Sequence, residues 1–109
     1  MYIESVKEEA MPSLTTLTNG VMYRIREHIV EVFVDKEPMT LNVGANVLAT
    51  LPAEARPSRN ITLAAATVPA NIAKINVFIN ANGNVGISNS SGAQMSSGGY
   101  ITAHETYLV

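Results

Sequence analysis

Apolar residues recur at every second position along most of this chain, which is the period of a half-buried β-strand. The alternation is clear over residues 21–26, 60–68 and 100–109, and it is clearest over residues 72–80. Residues 29–34 are apolar on both faces apart from Glu31, which predicts a strand covered on both sides, or nearly so. Shorter extended segments are expected near Leu14 and on either side of Gly44.

Turn residues separate these segments. Asn82-Gly83 predicts a hairpin with a type I′ turn, because Asn and Gly tolerate the positive φ angles that this turn requires. Glu27-His28 is a weaker turn signal, and residues 88–99 predict a long, flexible loop that packs little. Seven or eight short strands with regularly spaced turns predict an antiparallel, all-β sandwich.

The N-terminal residues differ from the rest. Residues 1–12 contain good helix formers and end at Pro12, which predicts a short helix or an extended stub. We interpret residues 1–19 as a connector, with a loosely ordered terminus as the alternative. Residues 20–109 are then the β-sandwich domain.

Composition excludes several classes of protein. The 109 residues suffice for one domain, and the chain has no Cys for disulfides or thiolate metal sites. A net charge of −2 gives no reason to expect nucleic acid. The sequence predicts neither a signal peptide nor a segment that inserts into a membrane. We expect no cofactor.

Charge is distributed unevenly. Residues 1–37 carry most of the charged side chains, and the remainder is rich in Asn, Ala, Ser, Thr and Gly. After residue 37 the charged residues are Glu54, Arg56, Arg59, Lys74 and Glu105. Such depletion is typical of a surface covered by other subunits, or it leaves a neutral, hydrogen-bonding exterior.

Two prolines five residues apart, Pro52 and Pro57, exclude an α-helix through residues 48–58 and predict a short turn between two extended segments. The sequence there, LPAEARPS, is followed by INANGNVGI over residues 79–87. This order resembles the C-terminal head domain of tail-fibre and baseplate receptor-binding proteins from tailed phages of Gram-positive bacteria. In that family, a motif like LP-x-x-x-RPS precedes strands carrying I-x-x-x-G-x-V-x-I.

The resemblance covers the chain from about residue 20 onward. It implies a jelly-roll-like β-sandwich that forms a homotrimer within the virion, made in the host cytoplasm. The implied activity is attachment to a host cell-wall polysaccharide or a teichoic-acid-like polymer, alongside other tail and baseplate proteins. The alternative is a structural trimerisation or decoration module that binds no receptor, and the absence of Trp favours it slightly.

A saccharide site requires an aromatic ring to stack on a sugar and polar groups to bind its hydroxyls. Tyr100 is the preferred candidate, because it begins the last predicted strand beside the glycine-rich loop and near Gln94. The other candidates are polar residues of that strand or of the proline turn: His104, Glu105, Arg56 and Arg59. Structural roles are the alternative for each, such as packing of Tyr100 on the loop or pairing of Arg56 with Glu54.

Catalysis is not expected. Glu27-His28 and His104-Glu105 place a base beside a carboxylate, but adjacent strand residues point to opposite faces and cannot act together. Two His and no Cys make a poor set of metal ligands. A polysaccharide depolymerase would need paired carboxylates, and the second half of the chain has only Glu54 and Glu105. We therefore predict a binding protein and not an enzyme.

Overall fold

The alternating segments form antiparallel strands in the computed structural model, which describes residues 13–64, 66–68 and 75–109. The strands are β1 (Thr15–Thr16), β2 (Val21–Arg26), β3 (Ile29–Lys36), β4 (Thr40–Leu41), β5 (Gly44–Thr50), β6 (Ile61–Ala64), β7 (Ala66–Val68), β8 (Ile75–Ile79), β9 (Asn84–Asn89), β10 (Met95–Ser96) and β11 (Tyr100–Leu108). The helix or stub predicted for residues 1–12 lies outside the described residues.

Two sheets account for most strands. Sheet 1 has the order β1-β2-β3-β11-β7, sheet 2 has the order β5-β9-β8-β6, and β4 pairs separately with β10. Every pairing is antiparallel. The prediction of an antiparallel all-β fold is therefore confirmed.

The inner faces of the two sheets share one hydrophobic core. Val30 and Val32 contribute from sheet 1, and Val77, Ile79 and Ile87 contribute from sheet 2. Each of these is almost completely buried, as expected where the alternate residues of two facing sheets meet. The arrangement is sandwich-like, and it leaves each sheet an outer face.

The prediction that residues 29–34 are covered on both sides, or nearly so, holds for the inner face and only in part for the outer face. In β3 the burial alternates: Val30, Val32 and Val34 are buried, whereas Ile29, Glu31 and Phe33 are half-buried. On the outer face, Phe33 is partly covered by the stacked His104 ring of the neighbouring strand β11. The sequence could not distinguish full burial of this outer face from partial cover by neighbouring strands.

Residues 60–68, predicted as one strand, form two strands in different sheets. β6 pairs with β8 in sheet 2, and β7 pairs with β11 in sheet 1. The chain therefore passes from one sheet to the other after Ala64. A continuous alternating pattern contains no signal for such a crossing, because both strands have the same period.

The turns also differ from expectation. At the β8–β9 hairpin only Gly83 has a positive φ, of 96°, and Gly83 N–H donates to Asn80 O at 2.8 Å. This is a three-residue loop and not the predicted type I′ turn. The positive φ angles of a type I′ turn occur instead at Asn19 and Gly20, at 52° and 80°, where Val21 N–H donates to Thr18 O.

Residues 88–99 pack more closely than predicted. Asn89 is buried, and its Nδ2 donates to Leu41 O at 3.2 Å and to Ala93 O at 2.9 Å. Ser97 is also buried, and its Oγ accepts a bond from Met39 N–H and donates to Gly99 O. These buried polar groups attach the segment to β4, so the prediction that it packs little is wrong.

The proline segment forms a compact connection between β5 and β6, two strands of sheet 2. A single turn of 3₁₀ helix, Ala53–Ala55, occupies the predicted turn. Leu51 N–H donates to Gly83 O at 2.8 Å, which joins the segment to the β8–β9 hairpin. Leu51 and Ala55 are fully buried, so this motif serves the core.

Candidate functional site

A cleft of about 360 Å³ opens at one end of sheet 1. It lies where the β1–β2 turn, the end of β3 and the start of β11 come together. Its lining residues are Asn19, Gly20, Asp35, Lys36, Glu37 and Tyr100. The cleft thus combines an aromatic ring with an amide, two carboxylates and an ammonium group.

Glycine at position 20 makes this cleft possible. Asp35 N–H donates to Gly20 O at 2.9 Å, and a Cβ at Gly20 would lie only 2.3 Å from Asp35 O. Only glycine combines that approach with a φ of 80°. Asn19 Nδ2 donates to Leu48 O at 2.9 Å, which attaches the turn to β5. The floor of the cleft is therefore fixed by the backbone.

The side chains of the cleft present hydrogen-bonding groups beside an exposed ring. Tyr100 is 51% exposed, and Asp35 and Glu37 are exposed as well. The Lys36 side chain is only 14% exposed, with its Nζ 3.6 Å from Glu37 Oε1. A ring with a polar edge, flanked by acceptors and donors, suits a ligand that has both apolar faces and hydroxyls.

A second polar cluster lies further along the same sheet face. His104 stacks on Phe33 with the ring centroids 4.3 Å apart and the planes within 4°. Arg24 Nε donates to Glu31 Oε1 at 2.5 Å, and His104 Nε2 lies 3.6 Å from Glu31 Oε2. The Arg24 guanidinium carbon lies 5.8 Å from the centre of the Phe33 ring.

The electrostatics of this cluster keep Glu31 ionised. The hydrogen bond from Arg24 lowers the pKa of Glu31, and the charges of Arg24, His104 and Arg26 act in the same direction. The same bond raises the pKa of Arg24. The cluster therefore presents fixed charges next to the stacked rings.

The structure separates the residues that were predicted to share a site. Tyr100 lines the cleft, and His104 lies on the same outer face of β11, four residues along. Glu105 lies on the opposite, core-facing side, since it alternates with His104 and pairs with Val32. Gln94 donates from Nε2 to Asn42 Oδ1 at 2.8 Å, and it is not among the residues that line the cleft.

The two arginines of the proline turn have different positions. Arg56 Nε donates to Leu51 O at 3.0 Å, and its side chain lies against Gly83. This is a structural role, and the partner is a backbone carbonyl and not Glu54. Arg59 is exposed on the segment that leads into β6.

Sequence reasoning missed five residues of the cleft, Asn19, Gly20, Asp35, Lys36 and Glu37. Their polar or turn-forming character indicated only a turn and a loop. The pairing of Ile101 with Lys36 and of Thr102 with Asp35 brings them beside Tyr100. Strand pairing between β3 and β11 is not encoded in any local motif, so no signal in the sequence identified these residues.

Other features bear on the class of site. Among the described residues, no group of three or more His, Asp or Glu side chains is arranged to hold a metal ion. Within the same ranges, no helix has the length and hydropathy that crossing a membrane requires. No protein-family model matches the chain, and a search of curated proteins found no match.

Proposed function

We propose that this chain is a receptor-binding head domain of a phage tail fibre or baseplate, with a jelly-roll-like fold and a homotrimeric assembly. In this proposal it attaches the virion to a host cell-wall polysaccharide or teichoic-acid-like polymer, without catalysis and next to other tail proteins. The observation that carries the proposal is the cleft in which Tyr100 lies beside Asp35, Lys36 and Glu37.

The chemistry of the cleft supports a saccharide over other ligands. An exposed aromatic ring provides a flat apolar surface for the C–H face of a sugar. Carboxylates accept hydrogen bonds from sugar hydroxyls, and the ammonium group donates one or meets a phosphate. The volume of about 360 Å³ falls within the range of small-molecule sites.

Open clefts of this kind bind single sugars weakly. Several copies of the domain that engage one polymer together gain affinity through effective concentration, without any new contact. A trimeric tip repeated on a virion provides such copies. The proposal therefore expects weak binding by one domain and much tighter binding by the assembly.

A direct binding measurement tests the proposal. The purified chain is titrated with host wall polysaccharide, together with Tyr100→Ala and the matched control Thr106→Ala, an exposed residue of the same strand and face. We expect binding by the wild type and Thr106→Ala, and at least a tenfold loss with Tyr100→Ala. Polysaccharide that is bound without becoming shorter supports a non-enzymatic role.

The structural module without receptor binding is the competing function. It is favoured by the proline motif, whose residues Leu51, Ala55 and Arg56 serve the core and a backbone contact. If the wild type fails to bind polysaccharide from any susceptible host yet still assembles with tail proteins, this function replaces the one proposed.

A further inference from the structure

The cleft places an aromatic ring and a carboxylate on the same face of sheet 1. Thr102 pairs directly with Asp35, so their side chains share the outer face, and Tyr100 lies two residues from Thr102 on that face. Tyr100 and Asp35 are therefore diagonal neighbours, which lie about 7–8 Å apart in an antiparallel pair. Both line the cleft. A ligand group between them can touch the ring and also reach the carboxylate.

The carboxylate of Asp35 is available to such a ligand. Asp35 is exposed, and in the part of the chain that the structure describes its side chain has no hydrogen-bond or ion-pair partner. The cation next to it in sequence, Lys36, belongs to the opposite face of β3, because it pairs with the fully buried Ile101. The Lys36 side chain is only 14% exposed, and its Nζ lies 3.6 Å from Glu37 Oε1. The ammonium group of Lys36 is therefore already engaged.

The charges that line the cleft disfavour an anionic ligand. Asp35 and Glu37 carry two negative charges, against one positive charge on Lys36. Because Lys36 is paired with Glu37, the charge that remains for a ligand is the negative charge of Asp35. A phosphate group in the cleft would be repelled by this carboxylate, whereas a cation would be attracted to it.

We propose that the cleft recognises a protonated amine on the bound polymer, with the ammonium group at the Asp35 carboxylate and the adjoining carbon skeleton on the Tyr100 ring. The inference rests on the proposed function and assigns the chemical class of its ligand. The face of an aromatic ring attracts an ammonium group through its quadrupole, in addition to the ion pair with the carboxylate. A neutral hydroxyl gains neither contribution, so the two groups together select for an amine.

Two kinds of polymer carry such an amine. One contains amino sugars that are not acetylated, and the other is a polyol phosphate esterified by an amino acid. The chemistry that the cleft would recognise is the same in both. Acetic anhydride converts either amine to a neutral amide, whereas mild alkali removes only the ester-linked amino acid. Chemical treatment of the polymer therefore distinguishes the two sources.

A pair of defined ligands tests the charge requirement. The full chain is titrated by calorimetry with a glucosamine trisaccharide and with its N-acetylated form, at low ionic strength and a mildly acidic pH that protonates the amine. Polyglycerol phosphate is the anionic probe. We expect the amine form to bind at least about fivefold more tightly than the acetylated form, with a difference that added salt reduces. Equal affinity for the two forms overturns the inference, as does tighter binding of polyglycerol phosphate.

Variants at Asp35 test the assigned residue. Asp35→Asn removes the charge and keeps the shape, so it should weaken binding of the glucosamine trisaccharide by about twofold to fivefold and leave the acetylated form unaffected. Asp35→Glu keeps the charge and should retain the preference. The matched control is Glu54→Gln, which removes an exposed carboxylate outside the cleft. Circular dichroism verifies each fold. Equal weakening by Glu54→Gln would assign the effect to overall charge and overturn the inference.

Host wall polysaccharide separates this inference from the receptor function. Binding that is lost when the polymer is acetylated supports both, and sensitivity to mild alkali then identifies an ester-linked amino acid as the source of the amine. Binding that survives acetylation at full affinity overturns the amine inference and retains the receptor function. If the glucosamine trisaccharide binds and the host polymer does not, the amine site is supported and the receptor function is contradicted. No binding of any probe contradicts both.

Discussion

The phenol of Tyr107 in β11 donates a hydrogen bond to the carbonyl oxygen of Ala55 at 2.5 Å. Ala55 belongs to the 3₁₀ turn of the proline segment and is fully buried. The bond therefore joins β11 of sheet 1 to the connection between β5 and β6, two strands of sheet 2. It also gives the buried carbonyl a partner, which such groups require.

Tyr107→Phe should lower the free energy of unfolding by about 1–2 kcal/mol, because the Ala55 carbonyl loses its donor while the ring still packs. Chemical denaturation of both proteins measures the difference. Tyr100→Phe, which removes an exposed phenol hydroxyl from the same strand, is the matched control. Equal stabilities of Tyr107→Phe and wild type would show that the bond contributes nothing.

Burial raises the pKa of Tyr107 to about 12, from 10.0. The folded state therefore holds the phenolic proton more tightly than the unfolded state does. Its contribution to stability is fully present below pH 10 and is lost as the pH rises toward 12. Unfolding measured across this range should show a decline for the wild type that is absent in Tyr107→Phe.

Glu31 provides the corresponding prediction at acidic pH. Its pKa lies below 4.5, chiefly because Arg24 donates to it, so its contribution is present above that value and lost as the pH falls through the folded pKa. Glu31→Gln should lower the melting temperature at neutral pH and reduce the acid-side decline. A variant whose melting curve parallels the wild type at every pH contradicts this account.

Gly86→Ala should destabilise the protein by about 1–3 kcal/mol, as overpacking does. The new Cβ would lie 2.2 Å from Asn46 O and 2.7 Å from the Phe78 ring. Gly44→Ala is the control, because nothing lies within 4 Å of its Cβ although its φ is 90°. In thermal melts, Gly86→Ala measures the cost of the steric clash and Gly44→Ala measures the cost of the positive φ. If Gly86→Ala lowers the melting temperature less than Gly44→Ala does, the close packing around Gly86 is contradicted.

Glu27→Gly should stabilise the β2–β3 hairpin by up to about 1 kcal/mol. Glu27 is exposed and has a φ of 59°, a conformation that costs energy for residues with a Cβ. Glu27→Ala removes the carboxylate but keeps a Cβ at the positive φ, so it should not raise the free energy of unfolding. If Ala stabilises as much as Gly, charge and not backbone conformation is responsible.

Substitutions of Arg56 should change stability, and substitutions of Tyr100 should change polysaccharide binding. Arg56→Ala and Arg56→Lys both remove the Nε donor to Leu51 O, so each should lower the denaturation midpoint while polysaccharide binding is retained. Tyr100→Ala should weaken polysaccharide binding and leave the denaturation midpoint unchanged, since the ring of Tyr100 is half exposed in the cleft. Loss of binding in Arg56→Ala that is restored in Arg56→Lys would instead assign a ligand role to the charge of Arg56.

The sequence by itself determined the elements whose signals are local. The alternation over residues 21–26 and the apolar positions of residues 75–79 specified β2, β8 and their inward faces. Pro52 and Pro57 fix their own φ angles and favour extended geometry in the residues before them. The short turn between two extended segments could therefore be predicted from the sequence. The face of β11 that carries Tyr100 and His104 was also determined, because a period of two fixes which residues share a side.

Only the tertiary structure decided what depends on pairing over long sequence distances. Residues 60–68 divide between two sheets, and β11 inserts between β3 and β7. That insertion brings Asp35 and Lys36 beside Tyr100, whereas the pairing of β4 with β10 places Gln94 next to Asn42. Local propensity cannot specify such contacts, because the free energy that selects them comes from burying the two inner faces together, which no single segment can do alone.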